Sequence, residues 1–213
     1  MTFSEADCAT AWQTQSLLMS YPDDELVDRL ALLRAATATL PTALAAPLNA
    51  FLDHVSATPL IDLAADYVAT FDHRKRFSPY LTYFAYGDTR KRGMALLRFK
   101  HAYRAAGLEL GDSELPDHLA VVLEFAATGN PVTGPRLMIE HRAGLELIRI
   151  GLRETGSPWA HVLESVTATL PPLGKREHEA VARLAAEGPP EEEVGLAPFA
   201  PPEYMPQAQG GAR

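Results

Sequence analysis

Arg74-Lys75-Arg76-Phe77-Ser78-Pro79-Tyr80-Leu81-Thr82-Tyr83-Phe84-Ala85-Tyr86-Gly87 is the stretch on which the fold turns. On propensity alone residues 80–86 suit a short β-strand, because aromatic and β-branched side chains fit a pleated, half-buried surface. A strand needs a partner, and nowhere else does the chain offer a second alternating run to pair with it. Ser78-Pro79 breaks any helix at this point, since proline pushes the preceding residue out of helical geometry. The stretch therefore reads as a loop carrying a short helix. With that, the whole chain reads as all-α.

Proline and glycine cut the flanking sequence into helix-length pieces. Ser4 is placed to cap a first helix bearing Trp12, Leu17 and Leu18 that stops before Pro22. Asp23 starts a second, with Leu26, Leu30 and Leu33 on one face up to Pro41. Leu44, Leu48, Phe51, Leu52 and Val55 mark a third by their spacing of three and four. Thr58-Pro59 reads as a cap plus first-turn proline opening a fourth, with Leu60, Leu63, Tyr67 and Phe71. Beyond the loop, Asp88 is expected to cap a long helix ended by Gly107, and Pro116 to open one ended by Gly129. Leu137, His141, Leu145, Ile148 and Leu152 predict another ending at Gly156. Ser157-Pro158 repeats the cap-plus-proline start, and residues 175–187 form a last, Ala-rich helix. The expectation is a single bundle of about eight to nine helices over residues 1–187. Residues 188–213 hold six prolines and the run Glu191-Glu192-Glu193. They are expected to form a mobile Pro/Glu-rich tail, because so little apolar surface does not offset ordering costs of ~1–2 kcal/mol per residue.

Charge is sorted along the chain. Residues 72–104 hold nine Lys/Arg and two Asp, a local +7, whereas the remainder carries −15 and the total is −8. A sequence pI near 5.3 argues against general nucleic-acid binding. Cys8 is the one cysteine, which excludes an internal disulfide framework and any Cys-x-x-Cys site. The N-terminus lacks a basic segment followed by an apolar run, and no apolar stretch approaches the ~20 residues of a membrane span. The compartment expected is the cytoplasm, with no direct membrane insertion.

Catalytic signatures are missing. The seven histidines are scattered, and neither Glu-x-x-His nor His-Glu-x-x-His occurs. No phosphate-cradling glycine loop and no Gly-x-Ser-x-Gly elbow is present. His161 and Glu164 lie one helical turn apart, a spacing read as an ordinary surface pair. What remains is Glu114-Leu115-Pro116-Asp117-His118-Leu119. Pro116 suits a first helical turn, Asp117 answers the helix dipole and Leu119 enters the core. His118 beside Asp117 is left over. Together with free N–H donors at a helix start, the pair offers an acceptor and a switchable donor suited to gripping a peptide. Two basic triplets, Arg74-Lys75-Arg76 and Arg90-Lys91-Arg92, flank the aromatic loop. Cations are disfavoured in a first helical turn, so a paired or partner-facing role is expected for the second triplet.

In these residues the sequence resembles the assembly chaperones of respiratory nitrate reductase, the delta-subunit family of molybdenum-enzyme maturation chaperones. The resemblance rests on Leu17-Leu18-Met19-Ser20-Tyr21-Pro22, on Tyr67-x-x-Thr70-Phe71-Asp72 and on Leu81-Thr82-Tyr83-Phe84-x-Tyr86-Gly87-Asp88-Thr89-Arg90-x-Arg92-Gly93. The motif at residues 114–119 and Leu123-Glu124-Phe125 complete it, and the similarity covers roughly residues 10–170. It implies an all-helical fold, no catalysis and no resident cofactor. It also implies a partner: the N-terminal segment of the apo catalytic subunit, kept competent for insertion of the molybdenum cofactor, with contact to cofactor-delivery proteins. The peptide-binding role carries onto Pro116, Asp117 and His118, together with Glu114, Tyr67, Tyr83, Tyr86 and Arg90. His118 agrees with the wider group of molybdenum-enzyme chaperones, so a related exported molybdenum oxidoreductase stays open as the client. Two other readings remain: a helical metal-dependent enzyme using the scattered His and Glu, and a scaffold whose basic segment meets anionic lipid or nucleic acid.

Overall fold

A computed structural model describes residues 3–111 and 114–188. Among these residues there is no strand, and twelve α-helices form one all-α body. The proposed boundary at residue 187 leaves a tail whose expected mobility lies outside the described residues.

Helix α1 (Glu5–Met19) is the central post. Ser4 caps it as its sequence predicts, accepting from the Asp7 amide at 3.1 Å. Its buried residues include polar ones, Thr14, Gln15 and Ser16, as well as Trp12, Leu18 and Met19. Thr14 bonds back to the Thr10 carbonyl of the same helix at 2.8 Å, while Gln15, Ser16 and Trp12 each donate to a different neighbour. Gln15 donates to the Ser165 hydroxyl at 2.9 Å, and Ser165 donates onward to the Leu44 carbonyl at 3.1 Å. Ser16 donates to the Ala120 carbonyl at 2.8 Å, and the Trp12 indole donates to Thr169 at 2.9 Å. These bonds join α1 to α4 (Thr42–Ala57), α8 (Leu119–Glu124) and α11 (Trp159–Ala168). Trp159 fills the space between them, with Phe51, Tyr67 and Phe71 ring centroids at 5.4, 5.8 and 5.6 Å.

The helix count exceeds the expected eight to nine because two predicted helices are each divided and the loop holds a short one. The piece from Asp23 becomes α2 (Asp24–Asp28) and α3 (Leu30–Ala38), parted at Arg29. The piece around Leu137–Leu152 becomes α9 (Thr133–Glu140) and α10 (Arg142–Glu154). It breaks at His141, whose φ of −108° and ψ of 20° leave the helical region. Beyond it Gly144 lies against Phe84 with no room for a side chain: a Cβ there would stand 2.7 Å from the ring. The loop of residues 74–87 holds a 3₁₀ turn, Lys75–Phe77, and α6 (Tyr83–Tyr86), as expected.

Three capping expectations are corrected. Thr58 bonds back to the His54 carbonyl at 2.8 Å rather than forward into α5 (Leu60–Tyr67). Asp88 does not cap α7 (Arg90–Ala105); its carboxylate is taken by Lys75 and Arg92, at 3.4 and 3.3 Å. Pro116 does not open α8, which starts two residues after Asp117 with His118 at its N-cap. Gly107 and Gly156 do end their helices in the left-handed region, at φ of 78° and 69°. Helix α12 (Lys175–Glu187) lies on α10 without burying a residue of its own.

Candidate functional site

Two loops cross at the centre of the candidate site. Leu81 N–H donates to the Asp117 carbonyl and Leu119 N–H to the Pro79 carbonyl, both at 2.9 Å. This one isolated bridge between Tyr80 and His118 is all the pairing that the strand-like aromatic run finds among the described residues. It fixes the turn holding Pro116, Asp117 and His118 against the aromatic loop.

Asp117 faces inward and is fully buried. Its carboxylate accepts from the Thr82 amide at 3.1 Å and the Thr82 hydroxyl at 2.5 Å. The Arg92 guanidinium donates to the same hydroxyl at 3.1 Å and stands 3.6 Å from the carboxylate. The Tyr103 hydroxyl donates to the Pro116 carbonyl. So α7 reaches back from both halves, Arg92 and Tyr103, and clamps the turn. The predicted pairing of the second basic triplet is met at Arg92, whose partners are Asp88 and Asp117 within the same molecule.

His118 faces the other way. As N-cap of α8 its Nδ1 accepts the Ala120 amide at 3.2 Å, which leaves the neutral ring's proton on Nε2. The Tyr80 ring meets it edge-on with centroids 5.2 Å apart. Burial lowers the His118 pKa below the ordinary histidine value, and Glu114, Asp117 and Asp72 pull against that. Tyr80 donates to Glu114 at 3.1 Å, and burial with this carboxylate pushes its hydroxyl up to about 12. Tyr67 donates to the Met19 carbonyl at 3.1 Å and meets Tyr21 edge-on at 5.6 Å.

These outward groups line a cleft of about 610 Å³. Its wall includes Tyr21, Tyr67, Tyr80 and His118, and four carboxylates: Asp23, Asp72, Glu114 and Glu124. Among the described residues that line it there is no Lys or Arg.

The structure divides the sequence-derived set. Glu114, His118 and Tyr67 come together on the cleft. Pro116 and Asp117 sit buried behind it, as the support of the turn. Tyr83 is buried against Phe84 with centroids 5.6 Å apart, Tyr86 is half-buried, and Arg90 begins α7; none of the three lines the cleft. Sequence reasoning did not single out Tyr80 as a site residue, nor Tyr21, Asp72 and Glu124, although all stood in or beside the quoted motifs. The signal available was that each is a polar group next to a buried residue: Tyr21 before Pro22, Asp72 after Phe71, Tyr80 before Leu81 and Glu124 after Leu123. His161 and Glu164 pair at 3.4 Å. Among the described residues no group of three or more His, Cys, Asp or Glu is gathered where a metal ion would sit, and no helix is long and apolar enough to cross a membrane.

The family model described as the nitrate reductase delta subunit matches residues 37–164, more than half of the chain. The chain belongs to that family. Among curated proteins it is 32% identical over 182 residues to the probable nitrate reductase molybdenum cofactor assembly chaperone NarJ of Bacillus subtilis, covering 83% of this chain and 92% of that one. It is 35% identical over 164 residues to the nitrate reductase-like protein NarX of Mycobacterium tuberculosis. There the match takes 77% of this chain but spans only 25% of the mycobacterial protein. NarJ of Escherichia coli is 34% identical over 119 residues, 53% of this chain and 49% of that protein. The fold is shared with a crystal structure from Archaeoglobus fulgidus described as a redox enzyme maturation protein, at a TM-score of 0.52 and 23% identity over 83% of this chain and 93% of that one.

Proposed function

We propose that this protein is an assembly chaperone for the molybdenum-containing catalytic subunit of nitrate reductase. It binds the N-terminal segment of the apo subunit in the cytoplasm and performs no bond-making chemistry of its own. The observation that carries the reading is the cleft itself, three tyrosines and four carboxylates around His118, at the motif whose residues resemble a peptide-binding region. The relatives named as molybdenum cofactor assembly chaperones support the choice of client.

The lining also says what kind of segment fits. Tyr21, Tyr67 and Tyr80 give apolar ring surface with hydroxyl handles, which suits an amphipathic helix laid in a groove. Asp23, Asp72, Glu114 and Glu124, unmatched by any basic lining residue, favour a segment that carries Lys or Arg beside its apolar anchors. Release must follow cofactor insertion, so moderate affinity is expected; a micromolar dissociation constant corresponds to about −8.2 kcal/mol.

Calorimetry with the client's N-terminal peptide and the full chain tests the reading. Replacing Glu114 and Glu124 together by Gln should weaken binding about three- to tenfold, given ~0–1 kcal/mol per exposed ion pair, and reduce its salt dependence. Unchanged affinity would remove the cleft as the binding site. Recovery of an unrelated partner, and no nitrate reductase subunit, on purification from native cells would remove the client.

A further inference from the structure

The cleft does not stop at α8. Val121, half-buried, and Glu124, exposed, form the outward face of that helix, and both line the cleft. The same two residues also line a second cavity of about 150 Å³, together with Phe125, Leu108 and Leu110. Leu108 and Phe125 close in over Gly129, where a Cβ would stand 2.6 Å from each, and the Phe125 ring lies 4.6 Å from that of Tyr103. Leu108 nevertheless stays 39% exposed, and Leu110 is half-buried. An apolar trough therefore opens beside the cleft, and the two meet over α8.

The four carboxylates of the cleft are not equally available. Asp23 caps α2, accepting the Leu26 amide at 3.1 Å. Glu114 accepts the Tyr80 hydroxyl at 3.1 Å and the Leu115 amide at 2.7 Å. The carboxylates of Asp72 and Glu124 have no hydrogen-bonded or ion-paired partner among the described residues. Asp72 belongs to the cleft alone, whereas Glu124 stands where cleft and trough join. At the far end of the trough come Lys100 and Arg104 of α7, neither of them ion-paired among the described residues, with Glu109 beside them. A ligand confined to the cleft leaves the trough open to water; one that crosses α8 covers it and keeps Glu124 in the middle of its contact.

Given the cleft as the peptide site, on which this rests, we propose that the client segment crosses α8 and places a cation at Glu124 between two apolar anchors. One anchor sits among the tyrosines of the cleft and the other in the trough of Leu108, Leu110 and Phe125. A helix is ~10–12 Å wide, and at 1.5 Å per residue that separation is about seven residues of a bound helix. Apolar residues at i and i+7, with Lys or Arg at i+3 or i+4, share one face of such a helix. Glu124 and the trough thereby select the client by the spacing of its residues as well as by their charge. Beyond the second anchor Lys100 and Arg104 disfavour a further cation.

Photo-crosslinking in the full chain tests this, with a synthetic peptide covering the N-terminal segment of the nitrate reductase catalytic subunit of the same cells as the probe. Benzoylphenylalanine is placed at Tyr21 in the cleft, at Leu110 in the trough, or at Leu32, which is 67% exposed on α3 and lines neither cavity. The peptide should be captured from Tyr21 and Leu110 and not from Leu32. By calorimetry, Leu108→Ser and Leu110→Ser together should weaken binding about tenfold, for the loss of one apolar anchor. Thr128→Lys, an exposed change one turn from Glu124, should weaken it about threefold. Capture at Tyr21 alone, with the Leu108 and Leu110 variant at parental affinity, overturns the proposal while the cleft remains the binding site. Capture at neither position removes the cleft and this proposal together. Capture of a second copy of the chain at Leu110, with no peptide adduct, overturns it in favour of self-association. A client segment with no Lys or Arg flanked on each side, three or four residues away, by an apolar residue also overturns it.

Discussion

Truncating Asp117 tests the division of labour inside the turn. In the native fold its carboxylate has no solvent exposure and is the meeting point of the Thr82 amide, the Thr82 hydroxyl and the Arg92 guanidinium. Asp117→Ala leaves two donors of Thr82 without their acceptor, and leaves Arg92 only its exposed partner Asp88 and the Thr82 hydroxyl. Removing one partner of a buried pair costs ~3–5 kcal/mol, against a total stability of ~5–15 kcal/mol for a typical domain. Asp117→Asn keeps one oxygen for Thr82 and loses only the charge facing Arg92, so about 1–3 kcal/mol is expected. Urea unfolding followed by circular dichroism reads both values. A cycle with Thr82→Val should return a coupling of ~0.5–3 kcal/mol, because the two side chains share one hydrogen bond. If both single variants stay within ~0.5 kcal/mol of the parent, like ordinary surface changes, Asp117 is not the internal post described here.

Acid should destabilise the fold in a defined window. Burial lowers the pKa of His118 and His141, so the unfolded chain binds their protons first as pH falls below ~6.5, and stability drops there; His118→Asn should flatten part of that slope, and an unchanged slope would refute it. Peptide affinity should weaken on the same titration, since a cation added at His118 opposes a basic segment, but the change belongs below the unperturbed histidine value rather than at it; flat affinity from pH 8 down to pH 5 would exclude the switch. Gly134→Ala should cost more than Gly144→Ala in thermal denaturation, because the new methyl meets the Ala126 backbone at 2.5 Å in one case and the Phe84 side chain at 2.7 Å in the other; overpacking of this kind typically costs ~1–3 kcal/mol. Gln15→Leu should destabilise by about 1–3 kcal/mol by leaving Ser165 one partner short, read by urea unfolding; no loss would mean that the bond between α1 and α11 is dispensable.

The fold was legible wherever helix period and punctuation agreed. Ser4 capped, Pro22 and Pro41 stopped, and Gly107 and Gly156 ended helices as expected. Reading failed where tertiary contacts choose the backbone. His141 interrupts a stripe that looks continuous from Leu137 to Leu152, because its ring lies against Phe99 of α7 with centroids 5.7 Å apart. No periodicity carries that information. The site was legible by address and not by direction. The motif at residues 114–118 was found, yet which of its side chains point inward depends on the crossing with residues 79–82. That crossing links segments about 35 residues apart, and propensity says nothing of it.

The crossing also explains why so acidic a cleft coexists with so basic a helix. Arg92, the cation best placed to neutralise the cleft, is only 16% exposed at its side chain and is committed to Thr82 and Asp117. Lys75 and Arg76 are taken by Asp88 and Glu154, at 3.4 and 3.8 Å. With those charges turned away, the field of Asp23, Asp72, Glu114 and Glu124 reaches whatever enters. Asp117 and His118 therefore do opposite things from adjacent positions, and their variants should separate cleanly. Asp117→Asn lowers unfolding stability, and the folded fraction binds peptide with near-parental affinity because the carboxylate does not line the cleft. His118→Asn keeps a short acceptor at the N-cap of α8, where Asn is a preferred residue, so stability near neutral pH changes little. What it removes is the dependence of affinity on acid. Equal losses of stability and of affinity in both variants would mean that the motif acts as one unit, and that the inward and outward halves assigned here are not independent.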